Sequence, residues 1–299
     1  MLSPPFVERV TFMYRSLKSA FFSALLVFTS ATWPTGAALG ANLVYTNSFD
    51  AGWTSDLYFA GGCYSYSFAL EKSTVREGTQ GASVVNKGWE DNMPCRENEP
   101  KHRAQIRFND TKVVDLLTKL NAPTWIGFSV FVPTDHPVNQ SGGYIMAQLN
   151  GSAGGPEFEI LMEDTGSTWK LQRRWAADGG SVTGATLAKV SVKKGQWTDF
   201  VIYRERSWKS DGITKIWIDG KQVVDHVGPN AINYVAQGAS GAVRLSTGIY
   251  WGTDVRNVTY ELKFDAVRIA EGLDGYSLVA AGGLTQPPAP TGLELTVGN

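Results

Sequence analysis

The amino-acid sequence predicts an all-β fold, an antiparallel β-sandwich. Short segments with the character of strands recur from Asn42 to about Ala270, with turn residues between them. The chain contains 32 glycines and 12% aromatic residues, which suits many short strands joined by turns. It shows no alternation of strands with helices, the pattern that a parallel sheet requires, so an antiparallel arrangement is favoured.

The individual strands are recognised by runs of β-branched and aromatic residues. The clearest are Trp125–Val132, Glu157–Met162 and Trp197–Tyr203. We expect a β-hairpin over Thr214–Val224, because the Asp-Gly pair at its centre tolerates the positive φ angles of a two-residue turn. A helix of one or two turns is predicted within Thr111–Leu120, where leucines and a valine recur at helical spacing.

Both ends of the chain differ from the middle. Basic residues precede a short apolar run at 20–28, and Ala38-Leu-Gly40 offers a cleavage site. We therefore predict a signal peptide over 1–40 and a secreted protein, with a signal anchor as the alternative. A single domain is expected over 41–283, followed by a Pro-rich tail or linker over 284–299.

Charge and cysteine content narrow the possible partners. The formal net charge of −1 gives no overall field that would attract nucleic acid or an anionic membrane, so neither partner is expected. Any positive charge that meets an anionic substrate must be local. Cys63 and Cys95 are the two cysteines, and in an oxidising compartment they predict a disulfide, with two free buried thiols as the alternative. We expect a monomer.

Four polar residues can project from one concave face of a sheet: His102, Gln148, Asn150 and Tyr250. A base, two amides and a phenol suit removal of a proton beside a carboxylate, with Arg103 as a further donor for the developing charge. That is the chemistry of β-elimination, which indicates a polysaccharide lyase. The segments that carry these residues are His102–Phe108, Tyr144–Asn150 and Arg244–Gly252.

The same segments resemble the three motifs of the jelly-roll alginate lyases, R-(S/T)-E-(L/V)-R, Q-(I/V)-H and Y-(F)-K-A-G-(I/V)-Y. This chain has Arg103-Ala-Gln-Ile-Arg107, Gln148-Leu-Asn150 and Leu245-Ser-Thr-Gly-Ile-Tyr250. The match is partial. Asn150 stands where those enzymes keep a histidine, Ser246 where they keep a lysine and Gln105 where they keep a glutamate.

A wider resemblance, from about Asn42 to Val279, is to the heparin-lyase-I-like and glucuronan lyase group, polysaccharide lyase family 20. It rests on Lys101-His-Arg103, Gly143–Gln148, Trp169–Trp175, Gly195–Val201, Asp211–Gly220 and Gly248-Ile-Tyr250. The resemblance implies a concanavalin-like β-jelly roll with a concave substrate cleft. It also implies His102, Gln148 and Tyr250 as the catalytic residues, and glucuronan as the first substrate with alginate second.

Substrate-binding residues are expected beside this centre: Arg103, Asn150, Arg173, Arg174 and Trp251. An arginine of the 173–174 pair could clamp a sugar carboxylate, and Trp251 could stack on a sugar ring. Alternation along the strand places the two arginines on opposite faces. The chemistry requires no cofactor. A structural Ca²⁺ is possible by resemblance to the group, with the carboxylates of Asp50, Asp265 and Asp274 as donors.

Two other functions fit the same fold. A glycoside hydrolase would need paired carboxylates, for which Glu157, Glu159 and Glu163 are the candidates. A non-catalytic carbohydrate-binding module would use tryptophan and arginine without acid–base chemistry. His136, in the turn Thr134-Asp-His-Pro137, is expected to lie on a surface loop, and His226 is expected to be structural.

Overall fold

The computed structural model describes residues 40–62, 64–87, 102–137, 143–151, 155–163, 166–177, 179–252 and 258–283. The backbone of His102 belongs to these residues, whereas its side chain lies outside the described part. Residues 1–39 of the predicted signal peptide, the Pro-rich tail, Cys63 and Cys95 also lie outside it. Within the described ranges, no helix has the length and apolar character needed to cross a membrane.

The described residues form fifteen strands, two short helices and a final 3₁₀ turn. The strands in the first half are β1 Asn42–Asn47, β2 Leu57–Gly61, β3 Phe68–Glu71, β4 Gly81–Lys87, β5 His102–Phe108, β6 Thr124–Phe131, β7 Tyr144–Asn150 and β8 Pro156–Met162. Those in the second half are β9 Thr168–Trp175, β10 Thr183–Ser191, β11 Trp197–Glu205, β12 Ile213–Ile218, β13 Lys221–Val227, β14 Arg244–Gly252 and β15 Thr259–Glu271. The helices are α1 Thr111–Thr118 and α2 Tyr276–Val279, and the 3₁₀ turn is Ala281–Gly283.

These strands pair into two antiparallel sheets that form a sandwich, which confirms the predicted fold class. One sheet has eight strands in the order β13-β12-β11-β6-β15-β4-β3, with β1 paired to β15. The other has seven strands in the order β10-β9-β8-β7-β14-β5-β2. Neighbours in both sheets come from distant parts of the sequence, as in β7–β14–β5, so the sheets close by long-range pairing.

Local sequence signals correspond to the observed elements. The hairpin between β12 and β13 turns at Asp219 and Gly220, whose φ angles of 50° and 78° are the positive values that the Asp-Gly pair predicted. Helix α1 is capped by Asp110, whose carboxylate accepts a hydrogen bond from the amide of Val113. The buried face of α1 consists of Val113, Leu116 and Leu117, as the helical spacing predicted, whereas Leu120, the fourth residue of the predicted stripe, lies beyond the end of α1 and is 38% exposed.

A buried ionic group lies between the sheets. Glu157 of β8 has no exposed surface and forms ion pairs with Arg204 at 2.7 Å and Arg206 at 2.6 Å. Its carboxylate also accepts a hydrogen bond from the amide of Ile232, and Arg206 donates to the carbonyl of Thr118. This arrangement links β8, the end of β11 and the long connection between β13 and β14.

His136 is buried, with 4% of its surface exposed, so the expectation of a surface loop residue was wrong. Its Nδ1 lies 3.2 Å from the carbonyl oxygen of Glu261, and its Nε2 lies 3.0 Å from the hydroxyl of Tyr144. A carbonyl only accepts, so Nδ1 carries the proton and Nε2 accepts from Tyr144. Burial lowers the pKa of His136 to about 4, which keeps the imidazole neutral in the folded protein.

This depressed pKa predicts an acid-sensitive stability. In the unfolded chain the histidine has a pKa of about 6.5, so between pH 6.5 and 4 only the unfolded state gains the proton. The neutral His136 therefore makes its full contribution to the free energy of unfolding above pH 6.5. This contribution, roughly 3 kcal/mol, is lost as the pH falls to about 4. Urea unfolding across this range should show it, and the His136→Gln variant should show a shallower pH dependence. Parallel curves for the two proteins would contradict the assignment.

Candidate active site

The outer face of the seven-stranded sheet is defined by alternation along its strands. In β5, Ala104 and Ile106 point into the core, so Arg103, Gln105 and Arg107 point to the opposite face. In β14, Leu245 and Ile249 belong to the core, and the outer positions are those of Arg244, Ser246, Gly248 and Tyr250. We call this side the cleft face. It carries Tyr250 and Arg103 together, whereas the sequence analysis named His102, Gln148, Asn150 and Tyr250 as the residues that share one face.

Strand register aligns one cleft-face residue from each strand into a line across the whole sheet. Each member is the direct partner of the next in the antiparallel pairing. With neighbouring strands about 4.8 Å apart, the line extends over about 29 Å. In order from β10 to β2, this polar row consists of Thr186, Gln172, Glu159, Gln148, Ser246, Arg107 and Tyr58.

The middle of the polar row is a buried floor. Gln148 is 1% exposed, and its Nε2 donates to Oε1 of Gln105 at 3.1 Å. The other halves of the two amides, Oε1 of Gln148 and Nε2 of Gln105, are buried and have no protein partner. An unpaired buried amide costs free energy, and this pair contains one acceptor and one donor that the protein's own groups leave unsatisfied.

Tyr250 is held at the other end of β14. It pairs in register with Arg103 on one side and with Ile145 on the other, and the Arg103 guanidinium lies 5.9 Å from the centre of its ring. Gly248 has a φ of 138°, and a Cβ there would lie 2.2 Å from the carbonyl oxygen of Ala104. Only glycine therefore allows β14 to approach β5 this closely just before Tyr250.

The remaining catalytic candidate, His102, begins β5, and its backbone pairs with that of Gly252. The register shifts between Tyr250 and Gly252, so a β-bulge separates the tyrosine from the position opposite His102. Because the His102 side chain lies outside the described part, its catalytic role stays a prediction. Asn150 ends β7 opposite Arg244, is half-buried, and lies on the cleft face.

Arg173 and Arg174 of β9 point to opposite faces of the sheet, as alternation along the strand predicted. Arg174 lies on the cleft face, where its Nε is 3.2 Å from Oε1 of Glu159. Arg173 lies on the face that carries Leu171, stacks at 3.9 Å over the ring of Trp175, and donates to the carbonyl of Pro229. The structure therefore places Arg174 beside the polar row and Arg173 away from it, against the expectation that Arg173 binds substrate.

Trp251 was expected to stack on a sugar ring, but the structure places it in the core. It is 7% exposed, and its ring centre lies 4.9 Å from that of Tyr144 and 4.8 Å from that of Tyr260. Successive strand residues point to opposite faces, so the neighbour of Tyr250 faces inward. The packed aromatic rings leave no face of Trp251 for a sugar.

The cleft face is rich in positive charge. Cations on it include Arg103, Arg107, Lys170, Arg174, Lys189 and Arg244, and the carboxylates beside them are those of Glu159 and of Glu163, which pairs with Lys189. Arg107 donates to the hydroxyl of Ser246 at 3.4 Å and lies 5.6 Å from the ring of Tyr58. The sequence reading had not assigned Arg107, Arg244, Gln105 or Glu159 to the site, although their alternation with core residues is visible in β5, β8 and β14.

Two of the three expected donors for Ca²⁺ are engaged in hydrogen bonds with the protein. Asp50 accepts hydrogen bonds from Thr79 and Gln80, and Asp265 accepts them from the amides of Arg76 and Glu77. Within the part of the chain that the structure covers, no three histidine, cysteine or acidic residues gather as a metal site would need. The calcium site stays a prediction.

The three glutamates considered for hydrolysis each face a basic side chain. Glu157 is buried between Arg204 and Arg206, Glu159 pairs with Arg174, and Glu163 lies 2.7 Å from Lys189. Burial raises the pKa of Glu159, and the nearby Arg174 opposes that shift. All three carboxylates therefore form ion pairs, two of them within β8 and the third just after its end.

Comparison with known proteins agrees with this description. A family model described as polysaccharide lyase matches residues 49–268. The fold is similar to the endo-β-1,4-glucuronan lyase from the fungus Trichoderma reesei, at a TM-score of 0.62 and 12% identity over 81% of this chain and 99% of that one. It is also similar to the marine PL-14 alginate lyase from Aplysia kurodai, at a TM-score of 0.51 and 12% sequence identity over 76% of this chain and 98% of that one. No curated protein matches the sequence.

Proposed function

The chain belongs to the polysaccharide lyase family, and on that premise we propose that it cleaves a 4-linked polyuronate by β-elimination. We propose glucuronan as the first substrate and alginate as the second. The proposal is supported most directly by one observation, the unpaired Gln105–Gln148 amides on the floor of a face lined with arginines. Cations suit an anionic polymer, and buried unpaired amides suit a sugar hydroxyl or carboxylate.

The reaction removes the proton from C5 of a uronate, and that electron pair forms the C4=C5 double bond as the C4–O4 bond breaks. A base takes the proton, and an acid protonates the departing O4. Negative charge develops on the carboxylate in between, where preorganised donors lower the barrier most. Gln148 and Arg103 are the proposed donors. Tyr250 is the proposed acid, and either His102 or Tyr250 is the proposed base.

We also propose that the protein is secreted as a monomer after removal of residues 1–40, with Cys63 and Cys95 joined as a disulfide. A structural Ca²⁺ is proposed as well. The chemistry above transfers each proton to or from a side chain, so the proposed mechanism needs no cofactor.

The decisive experiment incubates the purified mature protein with glucuronan, alginate and heparin in parallel, with and without Ca²⁺. Growth of ultraviolet absorbance from the unsaturated uronate on one polymer would establish β-elimination and identify the substrate. A rise in reducing ends without that absorbance would instead indicate hydrolysis. Binding without either signal on any polyuronate would favour a carbohydrate-binding module.

Replacing Gln148 by alanine should lower kcat/KM on the susceptible polymer by about a hundredfold, the cost of losing one donor to a developing oxyanion. The Gln222→Ala variant is the matched control, because Gln222 is a buried amide in the eight-stranded sheet. Initial rates by ultraviolet absorbance and unfolding curves should be measured for both variants. Equal activity in the two would remove Gln148 from the mechanism.

A further inference from the structure

A second line of cleft-face residues runs beside the polar row and passes through Tyr250. Each member is the direct partner of the next across the sheet. In order from β5 to β10, this Tyr250 row consists of Arg103, Tyr250, Ile145, Leu161, Lys170 and Lys189. The strand order is β14-β7-β8-β9, so at about 4.8 Å per strand Lys170 lies about 14 Å from Tyr250. A polymer that follows this row from Tyr250 therefore crosses β7 and β8 before it reaches Lys170.

The middle of the Tyr250 row is apolar. Ile145 of β7 and Leu161 of β8 each lie between two core residues, so both point to the cleft face, where they are half-buried. Sugar rings present apolar C–H groups on their faces, and ligand sites combine apolar contacts with a few placed polar groups. The two side chains therefore form a floor that suits a sugar ring between Tyr250 and Lys170.

The charge of Lys170 is balanced less completely than that of its neighbours on β9 and β10. Arg174 pairs with Glu159 at 3.2 Å, and Lys189 pairs with Glu163 at 2.7 Å. Lys170 attracts Glu159 from a longer distance, and among the residues that the structure describes no carboxylate lies within ion-pair distance of it. Its direct partner on β10 is Lys189, and like charges directly opposite each other destabilise a sheet. An anion bound at Lys170 would relieve this repulsion.

Resting on the proposed function, we propose that Lys170 binds the carboxylate of a uronate remote from the bond that is broken, in a distal subsite floored by Ile145 and Leu161. Every sugar of a homopolyuronate carries a carboxylate, so a chain held at Tyr250 that follows the row brings one to β9. Lys170 does not touch the reacting atoms, so its contact is equally strong before and during the reaction and acts on KM rather than on kcat. The subsite therefore favours chains long enough to reach β9.

Binding of a homouronate oligosaccharide long enough to span the Tyr250 row tests the subsite without turnover. The oligosaccharide is titrated calorimetrically into the Tyr250→Phe protein with and without a second substitution. Lys170→Gln should weaken binding about tenfold, the loss of one charge-assisted hydrogen bond, and Lys170→Arg should stay within about threefold because it keeps the charge. Lys215→Gln is the matched control, since Lys215 is a half-buried strand lysine of the eight-stranded sheet, and it should leave the affinity unchanged.

Turnover adds the dependence on chain length. In the enzyme that retains Tyr250, Lys170→Gln should raise KM for the long oligosaccharide by the same factor without changing kcat. Both constants should stay unchanged for the shortest homouronate that the enzyme cleaves, because that substrate ends before β9.

Unchanged binding of the long oligosaccharide in Lys170→Gln, or an equal loss in Lys215→Gln, would overturn the proposal, as would an equal rise in KM for the short and long substrates. Lys170→Met keeps the alkyl stem and replaces the glutamine variant if that variant does not fold. Failure of the proposed lyase function would be recognised separately, as an absence of unsaturated ends from every polymer tested. The calorimetric comparison would then still decide whether Lys170 binds a uronate.

Discussion

Replacement of Tyr250 by phenylalanine is expected to lower kcat/KM for β-elimination by about a thousandfold, with little change in the affinity for the polymer. The substitution removes one hydroxyl, and a positioned acid or base contributes about 10²–10⁴-fold to such a reaction. The ring and its contact with the Arg103 guanidinium remain, so the cleft should keep its shape. Initial rates by ultraviolet absorbance and a binding titration on the same polymer separate the two effects.

A matched Tyr→Phe change identifies losses that come from packing alone. Tyr276 is nearly buried among aromatic rings against the eight-stranded sheet, where it contacts Trp125 and Trp217. Tyr276→Phe should retain turnover within a few fold. A Tyr250→Phe enzyme that keeps most of its activity would show that the phenol takes no part in proton transfer, and the acid would then have to be sought elsewhere on the cleft face.

Replacement of Glu157 by alanine is expected to lower the free energy of unfolding by about 3–5 kcal/mol, the cost of removing one partner from a buried ion pair. The variant leaves two buried guanidinium groups, those of Arg204 and Arg206, facing each other without a counter-charge. It also leaves the amide of Ile232 without its acceptor. Chemical denaturation, with the slope checked for two-state behaviour, measures the effect.

The surface ion pair of Glu271 with Lys119 provides the comparison. Its charged groups lie 2.9 Å apart, but both side chains are largely exposed, so Glu271→Ala should cost less than about 1 kcal/mol. Similar losses for Glu157→Ala and Glu271→Ala would mean that the buried group adds little to stability. Such a result would leave specificity of packing, rather than energy, as the reason for burying three charges.

The strands and the main hairpin could be predicted because their signals are local. Period-two alternation identified β5, β7 and β14, and Asp219-Gly220 identified the turn between β12 and β13. The same alternation sends Trp251 to the face opposite Tyr250. Trp251 does not take the expected role in sugar stacking, because neighbouring residues along a strand point to opposite faces and Trp251 is therefore buried.

The partners across the sheet could not be predicted from local signals. Glu159 meets Gln148, and Arg107 meets Ser246, only because the strand order is β8-β7-β14-β5. His136 was misjudged for the same reason. Its turn sequence suggests exposure, but Tyr144 and the carbonyl of Glu261, brought close by the fold, enclose it.

The polar row has a consequence for the assembly of the protein. Its members are contributed one per strand, and they come from most of the domain sequence, from Tyr58 on β2 to Ser246 on β14. Contacts of such high contact order form late and slowly, because each closes a long loop. During synthesis, the polar row cannot be complete until β14 has left the ribosome and inserted between β5 and β7. Polymer binding therefore reports completed folding, and a truncated or partly folded chain should not acquire it in weaker form.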